Sequence, residues 1–249
     1  GATSYFSDGP RILPDFGLRL IRVVVLLAVM RTLFASRGSV SGLSLNAVLT
    51  YMLVAEVFAD QVRPRTVLAG AFWEGTLLMR YLQPMSLAGQ LASDMIGRWL
   101  PSLGLFSLPL LLLAPVLGVS AAPANPVAAG AFVLSLGLAG ALGVALDLAF
   151  GSAIVRLGED PWLVEDFRSA IEVVLSGSLV PLALLPWNLG GVFEWLPFAS
   201  MASAPLRIYT GTGDPLLLLG RQAGWLVILW PAASWLWAAS RERMVAYGG

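Results

Sequence analysis

Four places in this chain of 249 residues hold side chains whose types and spacing could do chemistry. On one apolar stretch Gly140, Gly143, Asp147 and Gly151 recur at steps of three and four, so they share one helix face. Small residues there allow close helix–helix approach, and Asp147 is directed into that packed interface rather than into lipid. A carboxylate at membrane depth is a candidate proton or cation site. The plainer reading is a structural Asp held by a hydrogen bond or a salt bridge. Glu56 lies on another apolar stretch, about 10 Å from its inner end at ~1.5 Å per residue. Arg22 or Arg19 could neutralise it. The third place is a charged, proline- and glycine-broken segment from Arg63 to Arg98. The fourth is an aromatic stretch over 186–214 with Trp187, Phe193, Trp195, Phe198 and Tyr209.

The residues that are missing exclude more chemistry than those present suggest. The chain has no Cys, no His and no Lys, and all 15 basic residues are arginine. Disulfides and thiol chemistry are out, and the commonest general base and metal ligand is absent. A lysine-bearing phosphate loop cannot be built, so any ATP hydrolysis belongs to another chain. Ser176-Gly177-Ser178 has no His or Lys partner, and no carboxylate cluster has metal-ligand spacing. The expectation is therefore a non-catalytic chain that holds no metal or cofactor. Nothing beyond scattered arginines points to nucleic acid.

The elements that position these residues are membrane helices. Only 12% of the chain is charged and 57% is hydrophobic, against about a quarter charged in soluble domains. One polytopic all-α domain is expected over residues 1–249. Six stretches of about 20 residues match a hydrocarbon core of roughly 30 Å: 16–36, 43–62, 99–119, 127–155, 169–185 and 216–239. Pro14 suits the first turn of the first helix, and Pro101, Pro109 and Pro115 break the third. LGEDPWLVEDFR (157–168) reads as a polar connection. The start, GATSYFSDGP, lacks a basic-then-apolar signal pattern. The 186–214 stretch is too irregular to span. It suits anchoring at the interface, or a dip back into the membrane that caps an exit path.

The arginines set the orientation. With the N-terminus inside, the inner side collects Arg11, Arg19, Arg22, Arg63, Arg65, Arg80, Arg98, Arg156, Arg168, Arg241 and Arg243. The outer side holds Arg37, Arg207 and Arg221, with Arg31 in the outer part of span one. Both termini and the 63–98 segment are placed in the cytoplasm. Within that segment a helix is expected from about Thr66 to Leu82, broken at Gln83-Pro84 and restarting at Met85. Its mixed surface suits insertion into a groove on a soluble partner. The alternative is a loop on the headgroups, with arginines bound to anionic lipid.

The stretch Glu74-Gly75-Thr76-Leu77-Leu78-Met79-Arg80-Tyr81-Leu82-Gln83-Pro84-Met85-Ser86 resembles the cytoplasmic segment after span two in one family. That family is the membrane subunits of type-2 ABC exporters, bacterial six-span permeases encoded beside a separate ATPase. Ser176-Gly177 through Pro181, Leu185-Pro186, Leu196-Pro197-Phe198, Pro205, Tyr209, Gly211, Gln222 and Trp225 follow its pattern around spans five and six, and Gly248-Gly249 also fits. The resemblance implies a coupling helix within about Glu74–Gln90, with Glu74, Gly75, Leu78, Arg80, Tyr81 and Pro84 at the ATPase contact. It implies a short re-entrant helix before span six and an amphipathic helix over 1–13. It also implies two copies of an ATP-binding subunit carrying ATP and Mg, a second permease subunit, identical or related, and the bacterial inner membrane. Two other classes compete: a secondary transporter or channel with Asp147 or Glu56 as ion site, and a membrane scaffold that transports nothing. The substrate is not legible.

Overall fold

Residues 9–35, 39–40, 43–158 and 160–247 are described in a computed structural model. Apart from one two-residue hairpin (β1, Ser39–Val40; β2, Leu43–Ser44), every regular element among them is helical. Of the amphipathic helix expected over 1–13, residues 1–8 lie outside the described residues, as does the Gly248–Gly249 end. Helix α1 runs Gly9–Phe34. Pro14 therefore stands inside it rather than in its first turn, near enough to the start to remove only one backbone bond.

Helix α2 (Leu45–Val57) is N-capped by Ser44, whose hydroxyl accepts from the Ala47 N–H, and it is buried from Val48 onward. The chain bends at Phe58 and continues as α3 (Ala59–Val62), so the expected 43–62 span comes in two pieces. Helices α4 (Leu68–Trp73) and α5 (Leu77–Arg80) follow in the charged segment. Helix α6 (Leu87–Ser102), capped by Ser86, then passes through a π turn at Leu103–Ser107 into α7 (Leu108–Leu113). The expected break at Pro101 is absent. A wider turn directly after a proline lets the backbone re-pair around the missing donor.

Helix α8 (Pro126–Leu157) begins at an Asn125 cap. Helix α9 runs Pro161–Leu175, where 169–185 was expected. Asp160 caps its start, accepting from the Trp162 N–H, and Pro161 fits the first turn. Its end is set at Ser176-Gly177, where φ of Gly177 is +72°. There the Ser176 and Gly177 carbonyls turn away to accept from the Ser203 N–H and the Tyr51 hydroxyl. Three short helices fill most of the aromatic stretch: α10 (Leu189–Phe193), α11 (Pro197–Met201) and α12 (Ser203–Thr210). Helix α13 (Pro215–Tyr247) ends the described chain.

Three helical stretches among the described residues are long and apolar enough to cross a membrane: Leu87–Leu113, Pro126–Leu157 and Pro215–Glu242. Helix α1 is long enough but carries Arg19, Arg22 and Arg31, and α2 is apolar but short. Side-chain contacts sort the rest to two opposite ends. Helix α13 meets the aromatic stretch through Arg221, Gln222 and Trp225. It meets the charged segment through Trp237, about 18–24 Å further along at ~1.5 Å per residue. Gln222 bridges α8 and α11 by donating to the Ser135 and Ser200 carbonyls, while the Ser135 hydroxyl donates back to it.

Candidate functional site

The charged segment begins where α3 gives out at Arg63, and its first four residues are clamped from three sides. The Thr66 N–H donates to one oxygen of Asp147 at 2.6 Å, and Arg168 contacts the other at 3.0 Å. Arg168 also donates to the Pro64 carbonyl. Arg65 reaches Glu165 at 3.2 Å, donates to the Ser169 hydroxyl, and lies 3.6 Å from Glu172. Arg98 then donates to the Arg65 carbonyl from α6. Both Arg168 and Glu172 are wholly buried. Asp147 is thus engaged on both oxygens, the arrangement its plainer reading requires.

Sequence reasoning passed over Arg168, Glu165 and Glu172. Their spacing of three and four put them on one face of α9. The signal is present, but 157–168 reads as a polar connection, and Glu172 falls inside the span expected over 169–185.

The glycine face of α8 explains how the segment comes so close. A Cβ on Gly140 would lie 2.9 Å from the Trp99 ring, one on Gly143 would lie 2.6 Å from Pro64, and one on Gly151 would lie 2.5 Å from Leu68. What the small residues admit is the charged segment together with α6.

Glu56, 1% exposed, faces Arg22 at 3.5 Å and Arg63 at 3.7 Å. Arg19, the other partner considered for it, instead pairs with Asp60 at 2.9 Å, and the Ser102 hydroxyl also donates to Asp60. Glu56→Gln is expected to destabilise the fold by about 1 kcal/mol, because Arg63 then faces no carboxylate here. An unchanged melting temperature would argue that the pair is not formed.

The docking helix expected over Thr66–Leu82 is two short helices, broken at Gly75 in addition to the expected break around Gln83-Pro84, which spans Tyr81–Ser86. Gly75 takes φ +67°, a left-handed turn that suits glycine. The returning piece is tied inward at four points. Leu77 is buried, Arg80 pairs with Asp94 at 2.8 Å, Gln90 donates to the Arg80 and Met85 carbonyls, and the Trp237 indole donates to the Tyr81 hydroxyl. Burial pushes that hydroxyl above its ordinary value against the Trp237 hydrogen bond and Arg241, so it remains a neutral phenol. Glu74, Gly75, Leu78 and Pro84 are exposed, together with Trp73, Met79 and Leu82. Of the six residues expected at an ATPase contact, Arg80 and Tyr81 therefore anchor the segment, and the other four face out.

The aromatic residues at the other end do not form one cluster. Trp187 and Trp195 are exposed, with Arg221 stacked on the Trp195 ring at 4.6 Å, and Phe193 is half-buried. Tyr209 is buried against Phe132, which packs edge-on to Phe58, and its hydroxyl donates to the Ala121 carbonyl. Phe198 packs between α8 and α13. No group of three or more carboxylates among the described residues is placed to hold a metal ion. Comparison with known protein families, curated proteins and solved structures finds no match to this chain.

Proposed function

We propose that this chain is the transmembrane subunit of an ATP-driven exporter of the type-2 ABC kind. In this reading it crosses the bacterial inner membrane six times, keeps both termini in the cytoplasm, and works as a permease dimer. Two separate ATP-binding subunits carry ATP and Mg.

The observation that carries the reading is the segment from Trp73 to Ser86. It is fixed inward by Arg80, Tyr81 and Gln90, yet it turns Trp73, Leu78, Met79 and Leu82 outward, each more than 60% exposed, with Glu74 among them. A connector between neighbouring helices needs only a few residues. A rigidly held apolar knuckle with one charge suits a groove on a soluble partner.

Closure of the ATPase dimer would push this knuckle. The clamp at Pro64, Thr66, Asp147 and Arg168 gives the push a stiff route into α8 and α9. Binding energy at the ATPase biases the two states only through contacts that differ between them. The competing reading, a secondary transporter with Asp147 or Glu56 as ion site, has to explain two carboxylates that already face arginines.

The test is co-purification and hydrolysis with the ATP-binding chain that this reading expects to be encoded beside this one. Glu74→Arg combined with Leu82→Asp touches no intrachain bond named above. It is expected to lower stimulated hydrolysis at least about tenfold, the factor of ~1.4 kcal/mol of lost contact, at an unchanged melting temperature. Full stimulation in that variant sinks the assignment. Arg80→Glu is a poorer probe, because it sets a second carboxylate against Asp94.

A further inference from the structure

Between α1, the bend from α2 to α3, and α6 lies a cavity of about 470 Å³. Five guanidiniums line it, those of Arg19, Arg22, Arg63, Arg65 and Arg98, against three carboxylates. The carboxylates are largely spoken for. Asp60 takes Arg19 and Ser102, Glu56 faces Arg22 and Arg63, and Asp15 sits on the exposed side of α1. Arg65 is already taken by Glu165 and Glu172, so four guanidiniums face three carboxylates and one positive charge is left in excess. Arg19 keeps Nη1 and Arg98 keeps Nε buried with no hydrogen-bond partner among the described residues. A buried guanidinium donor without an acceptor is costly. Neither atom opens onto the cavity itself, but both side chains line it, and a small rotation of either guanidinium toward an acceptor held there would pair the donor.

We propose that this cavity binds a phosphate-bearing anion, with Arg19 and Arg98 donating to the phosphate and Arg22 completing the charge balance. Arg22 is half-exposed, and Leu18, 63% exposed, also lines the cavity. Guanidinium forks match phosphate oxygens better than any other side chain does. The remaining wall is apolar, formed by Met95, Trp99 and Phe106, the last already under the Arg19 guanidinium at 4.4 Å. That wall suits an alkyl chain next to the phosphate. The same phosphate chemistry could be presented by an anionic lipid headgroup or by free phosphate.

The experiment uses the full chain in detergent, and no ATPase, so its outcome does not depend on the exporter reading. Melting temperature is followed while short-chain phosphatidylglycerol, inorganic phosphate, or phosphatidylcholine is added. Phosphatidylcholine is the control, because its own choline neutralises its phosphate. A saturable rise with phosphatidylglycerol alone identifies a lipid, and one that inorganic phosphate reproduces identifies the free anion. Arg98→Gln is expected to weaken the midpoint about tenfold, the factor one charge-assisted hydrogen bond carries. Arg98 also holds the Arg65 carbonyl, so Leu18→Glu serves as the second variant. It adds a repelling charge at an exposed position and should weaken the midpoint in the same direction. Absence of any saturable rise, an equal rise with phosphatidylcholine, or an unchanged midpoint in Leu18→Glu overturns the site.

Discussion

Arg168→Met is expected to destabilise the folded chain by about 3–5 kcal/mol, the usual effect of removing one partner from a buried ion pair. At ~2–4 °C per kcal/mol for a chain of this size, that is a fall of roughly 10 °C in melting temperature. The loss has three sources. Asp147 keeps its Thr66 hydrogen bond but loses its counter-ion, Glu172 stays wholly buried with only Arg65 to face, and the Pro64 carbonyl loses a donor. Methionine fills much of the volume, so the effect is electrostatic rather than a cavity effect. A triple variant, Arg168→Met with Asp147→Asn and Glu172→Gln, separates the two. Replacing a whole buried charge cluster by neutral groups is often close to neutral, so the triple should recover much of what the single loses. Thermal unfolding of the purified chain reads both. A single variant that melts within about 2 °C of the parent would mean that the cluster carries little of the stability.

The parts of this arrangement that were legible beforehand are those where one residue type repeats at a fixed step. The all-α character and two of the three long apolar helices, α8 and α13, follow from run length alone. The face of α8 follows from Gly140, Gly143, Asp147 and Gly151 at steps of three and four. Other parts were hidden by competing signals. Helix α6 starts at Leu87, within a stretch too polar to read as a span. Its buried Leu87, Leu91 and Met95, at steps of four, are the signature of a helix packed on protein rather than lipid. Helix α9 was displaced because its first half is charged and the apolar run after it, Leu179–Leu185, is not helical throughout. There the carbonyls of Ser176 and Gly177 are drawn off by Ser203 and Tyr51, residues far away in sequence. No local pattern announces such a partner. Partner choice among charges was equally non-local: Glu56 was given two candidate arginines on α1, and packing placed one of them on Asp60.

Alanine is expected to have opposite effects at two glycines of the same helix, Gly143 and Gly137. At Gly137, which is exposed, a Cβ meets nothing within 4 Å. Alanine there should raise stability or leave it level, since glycine in a helix interior costs about 0.5–1 kcal/mol relative to alanine. At Gly143 a Cβ would lie 2.6 Å from the Pro64 ring and 2.9 Å from the Pro64 carbonyl oxygen. That oxygen is backbone, and it already accepts from Arg168, so it cannot swing aside as a side-chain tip would. Pro64 must move as a unit, and it pulls against Thr66, whose N–H is held on Asp147. Overpacking of this kind costs about 1–3 kcal/mol. Melting temperatures of the two alanine variants decide the sign: a Gly143→Ala chain as stable as Gly137→Ala would mean that the segment does not rest on α8 as described. The same variant also probes the route from knuckle to membrane. On the proposed exporter reading, this variant leaves the exposed Glu74 and Leu82 unchanged, so ATPase binding should persist while stimulated hydrolysis falls. Loss of binding and hydrolysis together would instead mean that docking and transmission are not separate in this chain.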